Sequence, residues 1–118
     1  MTEIRYADIQ HYLTAIKNKA ELRTENAPHG VWWEISYQDF TTGEVLGIPI
    51  MDTGTPLQSA FYVVLTNGLP ELGIPRMPKG GPFIADPGYT TKLADGTVIT
   101  GDEIAANIKS WLENGFPQ

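Results

Sequence analysis

Apolar residues recur at three- and four-residue intervals in three separate stretches of the chain, and this spacing predicts three amphipathic helices. The first stretch covers residues 7–20, where the apolar stripe consists of Ile9, Tyr12, Leu13 and Ile16. His11 falls off that stripe, so we expect its side chain to face solvent. The first predicted helix therefore buries one face only.

The second predicted helix begins at Thr55-Pro56. A threonine that caps free N–H groups, followed by proline at the first helical position, is typical of a helix start. The apolar positions that follow are Leu57, Ala60, Phe61, Val64 and Leu65. Asn67-Gly68 is predicted to end the helix, because glycine readily adopts the left-handed backbone conformation.

The third predicted helix begins at Thr100-Gly101-Asp102-Glu103, which has the pattern of a capping box. In that motif the threonine and glutamate side chains each accept a hydrogen bond from the other residue's backbone N–H. The helix is predicted to continue to about residue 114, and Gly115 and Pro117 to end it. Its inward-facing residues are Ile104, Ile108, Trp111 and Leu112.

Between the helices, the pattern predicts turns and a single small hairpin. The apolar residues 45–51 are interrupted by Gly47 and Pro49, which favours an irregular buried segment over a central strand. Residues 91–100 are predicted to form a β-hairpin, since the pair Asp95-Gly96 suits a type I′ turn.

Composition narrows the classes of function. A chain of 118 residues fits one domain, residues 1–118. Its net charge of −6 makes non-specific binding to nucleic acid or to an anionic membrane unexpected. The absence of cysteine excludes disulfides, thiolate metal sites and cysteine nucleophiles.

The sequence also bears on location. The N-terminus shows no apolar run behind a basic start, and no stretch reaches the ~20 apolar residues that span a bilayer. We therefore expect a cytoplasmic protein, with a periplasmic one left open if a signal peptide has been removed.

Two motifs resemble parts of class I cytochromes c. Residues 25–30, Glu-Asn-Ala-Pro-His-Gly, have the layout of the haem-attachment motif Cys-x-x-Cys-His-Gly, with Glu25 and Pro28 at the cysteine positions. Residues 76–82 resemble the loop that supplies a methionine ligand to haem, and the spacing of the last predicted helix is also similar. The resemblance implies an all-α, cytochrome-c-like fold of three main helices with long loops, to which the small β-hairpin is added.

The resemblance also implies a function. Because both attachment cysteines are absent, we expect a haem-free binding or protein-interaction module without a cofactor, whose partner is a small apolar ligand or a protein. The first alternative is an electron carrier with non-covalent haem, for which the resemblance implies His29 and Met77 as ligands. The structural alternative for this pair is a backbone-bonded loop histidine and a methionine that fills a gap in the core.

The second alternative is a small enzyme that uses the vacated haem pocket. The predicted lining of that pocket is Trp32, Trp33, Phe61 and Phe83, which either leave it open or collapse into it. The carboxylates in predicted loops are candidates for general acid–base work, namely Glu25, Glu34, Asp39, Asp52 and Asp86. Their spacing selects no pair, so the sequence assigns no catalytic residue and no metal site.

Overall fold

A computed structural model describes residues 4–19, 33–45, 47–69, 77 and 82–118. Its helices are α1 (Tyr6–Lys19), α2 (Tyr37–Thr42), α3 (Ala60–Thr66) and α4 (Gly101–Glu113). Its strands are β1 (Glu44–Val45), β2 (Ile48–Pro49), β3 (Thr90–Lys92) and β4 (Val98–Thr100). Strands β1 and β2 form one antiparallel pair and β3 and β4 another, so the described chain has an α+β fold.

The predicted all-α, cytochrome-c-like fold class is therefore wrong. Besides the expected hairpin, residues 44–49 form a second one, in which Val45 pairs with Ile48. Gly47 lies in its turn with a φ of 80°, a conformation that glycine adopts without strain. Gly47, which favoured an irregular segment in the sequence, thus lies in the turn between two very short strands. Beyond the second strand, Ile50 and Met51 are buried as expected.

Helices α1 and α4 confirm their predictions. The predicted stripe of α1 is buried, and His11 is exposed. The capping box of α4 is present: Thr100 Oγ1 accepts from the Glu103 N–H at 3.1 Å, and the Thr100 N–H donates to Glu103 Oε1 at 3.2 Å. Trp111 is fully buried, as its place on the apolar stripe predicts.

The second predicted helix begins later than expected. Residues 56–58 form a 3-10 turn, and the Thr55 side chain makes no capping hydrogen bond. The Asp52 carboxylate accepts from the N–H groups of Gly54 and Thr55 at 3.1 and 2.8 Å, and so organises this loop. Gly68, with a φ of 72°, follows the helix end as predicted.

Helix α2 was not predicted. Ser36 caps it by accepting from the Asp39 N–H at 3.1 Å, and Phe40 is the one residue that it buries. A helix of six residues with a single buried position shows no apolar periodicity, so the sequence pattern carries no signal for it.

The β3–β4 hairpin forms where predicted, but its turn is not of type I′. That type requires positive φ at both central residues, whereas Gly96 alone has one within the loop, at 88°. The Gly96 N–H donates to the Leu93 carbonyl, and the Leu93 N–H to the Thr97 carbonyl, each at 2.9 Å. The loop is therefore a type I turn followed by a left-handed glycine, which is the usual three-residue hairpin loop.

Aromatic side chains fill the space where α1, α2, α3 and α4 meet the C-terminal tail. We call this set the aromatic corner: Tyr6, Tyr37, Phe40, Phe61, Trp111 and Phe116. The Trp111 ring centroid lies 6.1–6.3 Å from those of Phe40, Phe61 and Phe116, mostly edge to face.

The tail closes the aromatic corner through hydrogen bonds. The Pro117 carbonyl accepts from Trp111 Nε1 at 2.7 Å and from the Tyr6 N–H at 3.1 Å. The Tyr37 hydroxyl donates to the Phe116 carbonyl at 2.6 Å. Within the described ranges, no helix has both the length and the apolar character that a membrane span requires.

Candidate functional site

Of the two haem ligands that the resemblance implies, Met77 lies among the described residues and His29 does not. His29 lies outside the described residues, and so does Trp32 of the predicted pocket. Met77 is partly buried and packs against the core, while its N–H donates to the Val64 carbonyl at 2.7 Å. The pairing of His29 with Met77 around a haem therefore stays a prediction.

The other three residues of the predicted haem pocket make contacts with neighbouring residues of the chain. Trp33 is buried, and its indole Nε1 donates to Thr14 Oγ1 on α1 at 3.0 Å. Phe61 packs in the aromatic corner, with its ring centroid 5.1 Å from that of Phe40. Phe83 is half-buried, and its N–H donates to the Asp86 carboxylate at 2.9 Å. Trp33 and Phe61 thus serve as core residues in the described part of the chain.

The loop carboxylates act on backbone groups nearby. Asp52 and Asp86 accept hydrogen bonds from N–H groups within three residues, as loop-forming aspartates commonly do. Glu34 and Asp39 are exposed, and Glu25 is outside the described residues. Across those residues, no three His, Asp or Glu side chains come together in an arrangement that could hold a metal ion.

A pocket that the sequence did not reveal lies between the last turn of α1 and the β3–β4 hairpin. It is an open depression of the surface with a volume of about 390 Å³. We call it the hairpin pocket, and its lining residues are Asn18, Lys19, Thr90, Thr91, Lys92 and Val98.

The alternation of side chains along β3 builds this pocket. Thr91 points inward and is buried, and its hydroxyl donates to the Ala15 carbonyl of α1 at 3.0 Å. Its neighbours Thr90 and Lys92 are exposed on the opposite face, as the two-residue period of a strand requires. The hydrogen bond from Thr91 thus fixes the strand against α1 and fixes the position of the two outward side chains.

Basic groups dominate the electrostatics of the hairpin pocket. Lys19 Nζ lies 5.2 Å from the centroid of the Tyr89 ring, within the range of a cation–π contact. In the described part of the chain, no carboxylate forms an ion pair with Lys19 or Lys92. Two ammonium groups that have no carboxylate partner among the described residues therefore line a single pocket, although the net charge of the protein is −6.

Tyr89, beneath Lys19, carries an unused polar group. The side chain is 5 % exposed, and among the described residues its hydroxyl has no hydrogen-bond partner. Burial, followed by the nearby negative charge of Asp86, raises the pKa of Tyr89 to about 12. The hydroxyl therefore stays protonated at neutral pH.

No local sequence signal could have located the hairpin pocket. Lys19 lies near the end of the first predicted helix and Lys92 lies in a predicted hairpin more than 70 positions away, so only the tertiary fold brings them to the same pocket. Comparisons with sequence models of protein families, with curated proteins and with solved structures found no match to this chain. The resemblance to class I cytochromes c thus rests on the motif residues alone.

Proposed function

We propose that the protein is a binding module and that the hairpin pocket is its binding site. The observation that carries this proposal is the make-up of the pocket, in which two lysines without a carboxylate partner among the described residues lie beside the 58 % exposed side chain of Val98. Within the described ranges, Val98 is the large hydrophobic residue that remains exposed. Since no carboxylate of the described chain pairs with either lysine, the two ammonium groups and the exposed Val98 side chain are available to a ligand.

The packing of the aromatic corner also supports the hairpin pocket as the binding site. Its rings pack against one another, and Trp111 and Phe40 are fully buried, so this part of the core is occupied by the protein's own side chains. The described residues offer no observation in favour of the electron carrier or of the enzyme, and both stay predictions.

Fragment mapping by NMR tests the proposal. The assigned ¹H–¹⁵N spectrum would be recorded with anionic, cationic, neutral polar and neutral aromatic fragments in turn. We expect the fragments that bind to shift amides at Asn18, Lys19, residues 90–92 and Val98, because these residues line the pocket.

A blocking variant supplies the control. Thr90 is exposed on β3, so Thr90→Trp can fill the pocket from outside with a residue that strands accept well. It should abolish the shifts, whereas Gln38→Trp, at an exposed position of α2 outside the pocket lining, should leave them unchanged. Shifts that scatter over the surface, or that cluster on Phe61 and Trp111, would refute the hairpin pocket as the binding site.

A further inference from the structure

We infer that the ligand of the hairpin pocket is an organic oxyanion, that is, a carboxylate or phosphate attached to an apolar group. The inference rests on the proposed function and specifies the chemistry of its ligand. It follows from the charges, the hydrogen-bond donors and the apolar surface of the six lining residues.

The charge of the lining selects an anion. Among the described residues of the lining, Lys19 and Lys92 are cationic and the other four are uncharged. An ammonium group offers three N–H donors and no acceptor, so its best partner is an anionic oxygen, with which it forms a charge-assisted hydrogen bond. A cationic ligand would be repelled by both lysines.

The neutral polar groups fit the same ligand. Asn18 and Thr90 are exposed, and their amide and hydroxyl groups can donate to an oxyanion. The hydroxyl hydrogen of Thr91 is already used in the bond to the Ala15 carbonyl. The donors available to a ligand are therefore Asn18, Lys19, Thr90 and Lys92, which flank the pocket from α1 and from β3.

The position of Val98 requires an apolar group on the anion. Val98 lies opposite Lys92 in the register of the hairpin, so the two side chains are cross-strand neighbours on the outer face. An anion that reaches Lys92 therefore places whatever it is attached to near the exposed valine. Covering that apolar surface favours an organic anion over an inorganic one.

The overall negative charge of the protein does not prevent this binding. At about 0.1 M salt, charges separated by more than about 10 Å are largely screened, whereas groups in contact are not. The ammonium groups of Lys19 and Lys92 then act on the ligand more strongly than acids that lie farther than this from the pocket. Titrations at this salt concentration report the local chemistry of the pocket.

The inference is tested by titrating the protein with four oxyanions and two control compounds. Phenyl phosphate and hexanoate carry an apolar group, inorganic phosphate and acetate lack one, and hexylamine and hexanol replace the anionic group. We expect phenyl phosphate and hexanoate to shift the pocket amides and to bind several-fold more tightly than inorganic phosphate and acetate, respectively. The phosphate and carboxylate arms show which oxyanion is preferred, and tight binding of either supports the inference.

Three variants separate the contributions of the lining residues. Lys19→Gln and Lys92→Gln should each weaken hexanoate and phenyl phosphate about tenfold, as expected for the loss of one hydrogen bond to a charged group. Lys109→Gln, which removes an exposed lysine of α4 outside the lining, should leave the affinities unchanged. Val98→Thr keeps the β-branched shape and should reduce the advantage of hexanoate over acetate.

The outcomes distinguish the two proposals. If hexylamine or hexanol shifts the pocket amides as strongly as hexanoate does, or if both lysine variants bind with unchanged affinity, the ligand is not an oxyanion and only the binding site survives. If fragments of no class shift the pocket amides, the binding site and the oxyanion inference fail together.

Discussion

The aromatic corner and the hairpin pocket use similar side chains in opposite ways. Tyr6 in the corner and Tyr89 beside the pocket are almost equally buried, at 6 % and 5 % exposure. The Tyr6 hydroxyl lies 2.7 Å from the Ile35 carbonyl and 3.2 Å from that of Trp33, whereas the Tyr89 hydroxyl has no partner among the described residues. Because native proteins satisfy most buried polar groups, the difference separates a region arranged for stability from one that is not.

The same contrast extends to the neighbouring groups. In the aromatic corner the C-terminal tail gives Trp111 Nε1 and the Tyr37 hydroxyl a carbonyl each. At the hairpin pocket two lysines lack carboxylates within the described chain and Val98 is exposed. We therefore expect substitutions in the corner to lower stability and substitutions of the exposed pocket residues to change binding with little effect on stability.

The largest effect is expected for Trp111→Ala. The side chain is fully buried and its ring contacts four others in the corner, so the cavity should lower the free energy of unfolding by ~3–5 kcal/mol. Urea denaturation followed by circular dichroism would measure it, with the exposed Val98→Ala expected within about 0.5 kcal/mol of the wild type. Comparable effects of the two variants would remove the distinction between the regions.

The next effect compares the two tyrosines directly. Tyr6→Phe deletes a bonded hydroxyl and should cost about 1 kcal/mol, while the Trp33 carbonyl keeps its bond from Gln10 Nε2 at 2.9 Å. Tyr89→Phe deletes a hydroxyl without a partner and should leave stability unchanged or raise it. Equal losses in the two urea denaturation curves would mean that the Tyr89 hydroxyl is satisfied in solution.

Thr100→Ala tests the junction between the hairpin and α4. The threonine caps the helix through the Glu103 N–H, so its loss should cost ~1 kcal/mol. Thr53→Ala, at an exposed loop position, is the matched control. An unchanged denaturation midpoint for Thr100→Ala would show that this cap contributes nothing to stability.

Proton binding by Tyr6 and Tyr89 is expected to change stability least at neutral pH, and this effect should be the same in the two regions. Burial raises the pKa of both Tyr6 and Tyr89 to about 12, above the ordinary value of about 10. The folded state thus binds these protons more tightly than the unfolded state. Their contribution to stability is fully present below pH 10 and is lost as the pH rises from about 10 to about 12.

Urea denaturation at pH 8, 10 and 11 should show stability falling only above pH 10. Titration of ¹³Cζ-labelled tyrosines should place Tyr6 and Tyr89 near pH 12. An ordinary pKa for Tyr89 combined with a raised one for Tyr6 would mean that Tyr89 is reached by water.

The sequence predicts the elements whose signals lie within a few residues. The stripe of α1, the capping box at Thr100 and the glycine at position 96 each specify local geometry, and the structure contains all three features. Helix α2 and the β1–β2 hairpin are too short for a periodic pattern, so they were missed and the fold class was wrong. A motif resemblance could not correct this, because it says nothing about the segments between the motifs.

The hairpin pocket was unpredictable for a different reason. Its described residues come from 18–19, 90–92 and 98, and the hydrogen bond that holds β3 against α1 runs from the Thr91 hydroxyl to the Ala15 carbonyl. Such a bond has no sequence signature, since every residue supplies a carbonyl. That Lys19 and Lys92 have no carboxylate partner among the described residues can be recognised only once their surroundings are known.

The most direct test of the contrast between the two regions is urea denaturation with and without phenyl phosphate, on three proteins. A ligand that binds only the folded state raises the free energy of unfolding by RT ln(1 + L/Kd), where L is the concentration of free ligand. The wild type should gain stability. Tyr6→Phe should start lower and gain the same increment. The double variant Lys19→Gln, Lys92→Gln should start within about 1 kcal/mol of the wild type, because it loses the contact of Lys19 with the Tyr89 ring, and should gain almost nothing. An unchanged increment in the double lysine variant, or one abolished by Tyr6→Phe, would contradict the division between a stabilising corner and a binding pocket.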